Sequence, residues 1–132
     1  MATWAEVQNH MRSTYTLAAD QPEWLSLDFQ FENKRLQRII LSTFQALGKN
    51  WVSFRSRICR REQMDPEVAV RKTGNFAVGA IGLIGEGDNA YYEMIYSTML
   101  ETLDPEELEL PLHVICRTAD EIEAEITHED IA

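Results

Sequence analysis

Apolar and polar side chains alternate along much of the first half of the chain. Residues 24–32 alternate strictly, with leucine or phenylalanine at positions 25, 27, 29 and 31 and polar residues between them, which is the period of a half-buried strand. Residues 51–60 alternate again, and the isoleucine, threonine and phenylalanine content of residues 36–47 favours another strand. The segment LGKN at 47–50 has turn composition. The sequence therefore predicts three consecutive strands joined by tight turns.

Two shorter segments carry helix signals. Thr3 and Glu6 have the spacing of a capping box, which predicts that a first helix begins there and continues at helical spacing to about Leu17. Asp65–Pro66 combines a capping aspartate with a proline at the first helical position, and this predicts a short second helix. We expect Gly74 to end that helix in the left-handed conformation.

A long last helix is predicted from Asp104 onward, because Pro105 and two glutamates follow as an N-terminal helix signal. Apolar residues then recur in alternating steps of four and three and form one stripe: Leu108, Leu112, Ile115, Ala119, Ile122 and Ile126. Pro111 lies inside this pattern and lacks a backbone N–H, so we expect the helix to restart or bend there.

Residues 76–92, FAVGAIGLIGEGDNAYY, raise the question of a nucleotide site, because Gly85–Ala90 satisfies the pattern G-x-G-x-x-G/A after a strand-like run. By spacing alone, residues 91–103 fit a helix as well as a strand. However, Glu86 and Asp88 would place carboxylates where a pyrophosphate binds, and no second βαβ half is available. The aromatic and β-branched residues of 91–98 favour a strand. Residues 85–89 then form a hairpin loop.

The composition fits a single domain over residues 1–132 and excludes several classes of function. The net charge of −10 excludes a general nucleic-acid binder, since phosphate contacts need a basic surface. The N-terminus lacks the basic region of a signal peptide, and the longest apolar run, residues 76–85, is shorter than the ~20 residues that span a bilayer. We therefore expect a cytoplasmic protein that binds neither nucleic acid nor membrane.

Positive charge is concentrated in the middle of the chain, while the end of the chain is acidic. Ten of the 12 lysine and arginine residues lie between positions 34 and 72, and Arg117 is the one formal positive charge that follows them. This asymmetry predicts ion pairs between the middle and the end of the chain, either within one molecule or between two copies.

The sequence contains none of the catalytic motifs G-x-S-x-G, H-E-x-x-H or C-x-x-C. The best metal-site candidate is His113, Cys116 and Asp120, which share one face of the last helix, but no second ligand cluster accompanies them. The glutamates at 106, 107 and 109 are explained better as a solvated first turn, and Cys59 and Cys116 as reduced, largely buried thiols. We expect no catalytic residue, no metal and no cofactor.

The assembled order is α-β-β-β-α-β-β-α, an α+β fold in which an antiparallel sheet is packed with helices. This order resembles the type III secretion chaperone-like fold, and several segments resemble the YbjN family. Residues 70–83, VRKTGNFAVGAIGL, resemble that family's passage from second helix into fourth strand, and Gly87–Asp88 falls at its hairpin turn. LDPEEL at 103–108 and TADEIE at 118–123 resemble the start and end of its last helix. The resemblance implies that residues 91–103 form a strand. It also implies that Gly79 and Gly82 permit a helix or a second subunit to approach the fourth strand closely.

The resemblance also implies a non-catalytic protein-binding module, chaperone-like or regulatory, that acts as a small acidic homodimer without a nucleotide. Both the apolar stripe of the last helix and the glycine-bearing fourth strand are open as dimer surfaces. The identity of the protein partner is not contained in the sequence.

A candidate surface for that partner lies on the third strand. Trp51, Arg55 and Arg57 share one side of it, opposite to apolar residues at 52, 54 and 58, and tryptophan and arginine are common at interface hot spots. Two alternatives stay open. Trp51 could instead cover the sheet edge while the arginines pair with the acidic last helix, or the domain could be a small-ligand-binding domain or an enzyme with an unrecognised site.

Overall fold

The computed structural model describes residues 3–32 and 34–131, with side chains as far as Ile126. The strands are β1 (Ala19–Asp20), β2 (Trp24–Gln30), β3 (Leu36–Ala46), β4 (Lys49–Arg60), β5 (Ala80–Ile84) and β6 (Tyr91–Met99). The α-helices are α1 (Trp4–Thr14), α2 (Pro66–Thr73) and α3 (Pro105–Ile131). Within the described residues, six strands form one antiparallel sheet in the order β1-β2-β3-β4-β6-β5. The predicted α+β fold, with an antiparallel sheet packed with helices, is confirmed.

The sheet differs from the sequence prediction in two details. The two-residue β1, which pairs Ala19 with Ser26 of β2, carries too short a pattern to be predicted. The turn between β3 and β4 is tighter than expected, since Ala46 pairs with Lys49 and only two residues connect the strands. These two residues, Leu47–Gly48, have φ angles of 55° and 70°, as a type I′ turn requires.

The glycine-rich motif forms the loop of an antiparallel hairpin. Ile84 of β5 pairs with Tyr91 of β6, and Gly87–Asn89 forms one turn of 3₁₀ helix between them. Strand β6 covers residues 91–99, somewhat less than the 91–103 implied by the resemblance. A strand therefore follows the motif where a dinucleotide site needs the N-terminus of a helix, which confirms the hairpin interpretation.

The three helices pack on one side of the sheet and form a single core with it. The predicted stripe of α3 is buried from Leu108 to Ile122, with no more than 5% of any of its residues exposed. Helix α1 contributes Val7 and Met11 to the same core, and α2 contributes Ala69. The apolar stripe of α3 is thus used within one molecule, so it does not serve as a dimer surface.

The predicted restart of the last helix at Pro111 and the predicted left-handed conformation of Gly74 are both wrong. Helix α3 continues from Pro105 to Ile131 without a restart at Pro111. Pro111 removes only one helical hydrogen bond, and its buried neighbours Leu108 and Leu112 hold the helix against the core on both sides. Gly74 has φ −62°, a right-handed conformation, because the chain leaves α2 through further turns rather than through a left-handed cap.

Gly79 permits the close approach of a helix, as expected. It has φ +82°, and a Cβ atom added there would lie 2.5 Å from Cδ1 of Ile115 on α3. Gly82 differs, because a Cβ atom there would meet Cδ1 of Ile95, at 3.1 Å, on the neighbouring strand rather than a helix. Only glycine fits at position 79 without strain.

Ion pairs join the middle of the chain to its acidic end within one molecule, as the charge asymmetry predicts. Nε of Arg35 lies 3.0 Å from Asp120, and Nη2 of Arg35 lies 2.8 Å from Glu123. Lys72 lies 3.2 Å from Glu125. These pairs fasten α3 to the start of β3 and to α2.

Both cysteines are buried, and neither is part of a disulfide. Burial raises the pKa of Cys116 to about 12, so its thiol stays protonated at neutral pH. None of the helices in the described residues combines the length and apolar character needed to cross a membrane.

Candidate protein-binding surface

The side of the sheet opposite to the helices carries no helix among residues 3–32 and 34–131, and we call it the open face. Strand alternation and the observed pairing identify the residues of this face. They are the even-numbered residues from 24 to 28 of β2 and from 38 to 44 of β3, the odd-numbered residues from 51 to 57 of β4 and from 91 to 99 of β6, and residues 80 and 82 of β5. The open face therefore extends across β2 to β5.

Large apolar side chains lie exposed on the open face. Trp24 and Ile40 are each 40% exposed and Phe44 is 39% exposed, and Ile95 and Met99 are partly buried beside them. Single exposed apolar residues are normal on any protein, but a continuous group on one face is typical of an interaction surface. Phe44, Trp51 and Met99 form such a group, because they occupy directly paired positions on β3, β4 and β6.

Strand pairing arranges the open face in rows that cross the strands. Ser42, Ser53 and Ser97 occupy directly paired positions on β3, β4 and β6. The row on one side is Phe44, Trp51 and Met99, and the row on the other side is Ile40, Arg55 and Ile95. Between these rows lies a shallow groove of about 600 Å³, lined by Ser42, Ser53 and Ser97 together with Phe44, Arg55, Ile95, Gly79, Ala80 and Tyr96. We call it the serine groove.

Trp51 lies on the open face as predicted, but it does not cover a sheet edge. Strand β4 lies between β3 and β6 inside the sheet. The indole N–H of Trp51 donates to the carbonyl of Ala46 at 2.8 Å, and its ring stacks on Phe44 with a centroid separation of 6.2 Å. Trp51 therefore closes the β3–β4 hairpin and supports Phe44, which lines the serine groove.

Arg55 and Arg57 also lie on the open face, but their partners differ from the predicted alternative. Nη1 of Arg55 donates to Oε1 of Glu93 at 2.8 Å, and the guanidinium of Arg57 lies 4.2 Å from the ring centroid of Tyr91. Both contacts are with β6. Pairing with the acidic last helix is wrong, because α3 packs on the other side of the sheet.

Glu93 is the buried carboxylate of the open face. Burial raises its pKa, and the neighbouring guanidinium groups of Arg55 and Arg57 offset this only in part. Tyr96 also borders the serine groove, but strand alternation puts its ring on the helix side of the sheet, where it packs against Phe54 and the core.

The candidate metal ligands do not converge on one point. The Sγ of Cys116 lies 3.5 Å from the carbonyl of Gln37, inside the core, and Asp120 pairs with Arg35. His113 instead contacts Tyr15, with Nε2 lying 3.1 Å from the phenol oxygen. Helical spacing puts the three residues on one side of α3, but each is bound to a different neighbour.

The sequence predicts that Glu109 belongs to a solvated first turn of the last helix. This prediction is wrong for Glu109, because its carboxylate is bound by two side chains. Its carboxylate accepts a hydrogen bond from the Tyr15 hydroxyl at 2.5 Å and lies 3.0 Å from Nε2 of His10. Burial acts to raise the pKa of Glu109, but the bonds from Tyr15 and His10 outweigh it and hold the pKa below its usual value. Burial and Glu109 together raise the pKa of Tyr15 well above its usual range. This cluster joins α1 to α3.

Sequence reasoning missed most of the serine groove. Ile40 and Phe44 lie on β3, whose two faces are both rich in apolar residues, so periodicity did not distinguish them from the core. The serines gave no signal, since nothing in the sequence indicates that positions 42, 53 and 97 are paired. The strand register, once known, identifies all of them.

No protein-family model matches this chain, and no curated protein sequence matches it. Among solved structures, a chain from the HopA1–SchA chaperone–effector complex is similar, with a TM-score of 0.59 and 11% sequence identity. The match covers 89% of this chain and 88% of that chain. At this identity the similarity concerns the fold.

Proposed function

We propose that this protein is a non-catalytic, chaperone-like protein-binding module that contacts its partner through the open face. The observation that carries the proposal is an uncovered sheet face on which Trp24, Ile40 and Phe44 remain 39–40% exposed. The fold similarity to a chain from a chaperone–effector complex supports it. A regulatory protein with one dedicated partner would use the same surface. The YbjN family stays a prediction from the sequence.

A pull-down from native-host lysate with mass spectrometry tests the proposal. The wild-type protein is compared with the double variant Trp51→Ala, Arg55→Ala, and with Ile40→Ser, Phe44→Ser, which leaves the Trp51–Ala46 hydrogen bond intact. A protein that co-purifies in stoichiometric amount with the wild type should be lost with both variants. Circular dichroism and thermal unfolding establish that the variants are folded.

Leu110→Ser is the matched control for this experiment. Leu110 is exposed on α3, on the helix side of the sheet, so its replacement removes apolar surface elsewhere. The control should retain the partner. A partner retained equally by all variants, or no partner with any of them, would refute the open face as the binding surface.

A homodimer is part of the proposal. Since the stripe of α3 is buried, the better dimer surface is the outer edge of β5 with the neighbouring α2, where Leu83, Val68 and Val70 are exposed. Light scattering coupled to size-exclusion chromatography should give twice the mass of 15.2 kDa, and Leu83→Glu should give the monomer. A wild-type monomer at all concentrations would refute the dimer.

A small-ligand site is the alternative to protein binding. The candidate position for such a ligand is the serine groove, whose volume falls within the range of about 300–1,000 Å³ that is usual for ligand pockets. Clear thermal stabilisation by a nucleotide or a divalent metal in a ligand screen would favour this alternative.

A further inference from the structure

The serine groove has dimensions that suit an extended chain rather than a helix. Its walls are four residues apart along each strand, as from Ile40 to Phe44, which is about 13 Å between backbones. Side chains from both walls occupy part of this width, and a helix with its side chains needs about 10–12 Å. A single extended segment is narrower, and it can lie across the strands between the two walls.

The groove floor carries hydrogen-bonding groups that match a peptide backbone. The hydroxyls of Ser42, Ser53 and Ser97 make no hydrogen bond to another residue in the described part of the chain. Each hydroxyl both donates and accepts, so the row can bond the N–H and C=O groups of an extended chain. Ser42 and Ser97 are two strand spacings apart, about 10 Å, which is the length of about three extended residues.

The charge on the open face is opposite in sign to that of the whole chain. Three guanidinium groups, those of Arg38, Arg55 and Arg57, face the two carboxylates of Asp28 and Glu93, whereas the chain has a net charge of −10. Within the described residues, Arg57 has no carboxylate within 4.0 Å. Among the described residues, the guanidinium of Arg55 makes one side-chain hydrogen bond, to Glu93, out of five N–H donors. The local excess of positive charge favours an acidic ligand.

We propose that the serine groove binds a short extended segment of the partner protein in which apolar side chains flank an aspartate or glutamate that pairs with Arg55. This proposal rests on the proposed function. The apolar side chains contact Phe44 on one side of the groove and Ile95 on the other, and the serine hydroxyls bond the backbone. The carboxylate makes charge-assisted hydrogen bonds with the free N–H groups of Arg55 beside Arg57.

A displayed library of random dodecapeptides, panned on the immobilised full-length protein, tests the proposal. We expect the enriched peptides to combine apolar residues with an acidic residue. A synthetic peptide of the enriched sequence should bind about tenfold more weakly when its acid is replaced by the amide. Arg55→Gln should weaken binding of the original peptide to the same extent and should not weaken the amide peptide further.

Ser97→Ile fills the groove with a side chain that favours strands, so the variant should stay folded and lose the peptide. Gln45→Ile is the matched control, because Gln45 is an exposed residue of β3 whose side chain lies on the opposite side of the strand. Binding that survives Ser97→Ile, or enriched peptides without acidic residues, would overturn the groove proposal and leave the protein-binding function standing. No enriched peptide together with no partner in the lysate experiment would overturn both.

Discussion

Leu47→Asn should stabilise the protein, because Leu47 is held in the left-handed region at φ 55° while 89% of it is exposed. A left-handed conformation costs an ordinary L-residue about 1–2 kcal/mol, and asparagine tolerates it better. Because so little of Leu47 is buried, its removal sacrifices almost no packing. We therefore expect the free energy of unfolding to rise by about 1 kcal/mol.

The corresponding shift in melting temperature follows from the size of the chain. With about 2.1 cal/mol/K of unfolding entropy per residue and 132 residues, ~1 kcal/mol raises Tm by about 3–4 °C. Urea unfolding and differential scanning calorimetry measure the two quantities independently.

Leu47→Ala is the matched control for the backbone argument. Alanine removes the same exposed side chain but keeps the left-handed penalty, so its stability should stay within about 0.5 kcal/mol of the wild type. If asparagine gives no gain over alanine, the left-handed conformation is not the source of strain and the reasoning is refuted.

Three further predictions follow from buried contacts. Gly79→Ala should lower the free energy of unfolding by about 2–4 kcal/mol, because position 79 has a positive φ and because the added Cβ atom crowds Ile115. Ile115→Val removes Cδ1 and should reduce this loss by about 1 kcal/mol in a double-mutant cycle. Glu109→Gln should lower the urea-measured stability at about pH 7, and the difference should shrink as the pH falls below the unfolded-state pKa near 4.5, because the depressed pKa of Glu109 stabilises only the ionised form. The Cys116 thiol, whose pKa burial raises to about 12, should react with iodoacetamide only after unfolding.

Each of these predictions has a result that contradicts it. Strict additivity of Gly79→Ala and Ile115→Val would show that the two side chains do not compete for space. A stability difference for Glu109→Gln that stays constant down to about pH 3 would show that its ionisation is not linked to folding. Alkylation of Cys116 at the same rate with and without urea would show that the thiol is accessible in the native state.

The sequence predicted most of the architecture because several local signals agreed. Strict alternation identified β2, and the capping aspartate with Pro66 identified α2. The failures occurred where tertiary contacts decide the structure. Pro111 did not interrupt α3, because core packing on both sides of it outweighs one missing hydrogen bond. Glu109 looked solvated because its partners, Tyr15 and His10, are far away in sequence.

The candidate surface was predicted less completely than the fold. Alternation was sufficient to put Trp51, Arg55 and Arg57 on one side of a strand. The choice of Glu93 and Tyr91 as partners depends on β4 pairing with β6 rather than with another strand, and that pairing joins residues about 40 positions apart. No local pattern contains this information.

The presence of helices on one side only has a consequence for how such a protein diverges. Alternate residues of the same strand serve two separate purposes, since one set holds the core together and the other set faces solvent. Substitutions at positions 40, 42, 44, 95 and 97 change the surface without reaching the residues that specify the fold. A lineage built on this sheet can therefore exchange one binding specificity for another through single steps, each of which leaves a folded intermediate.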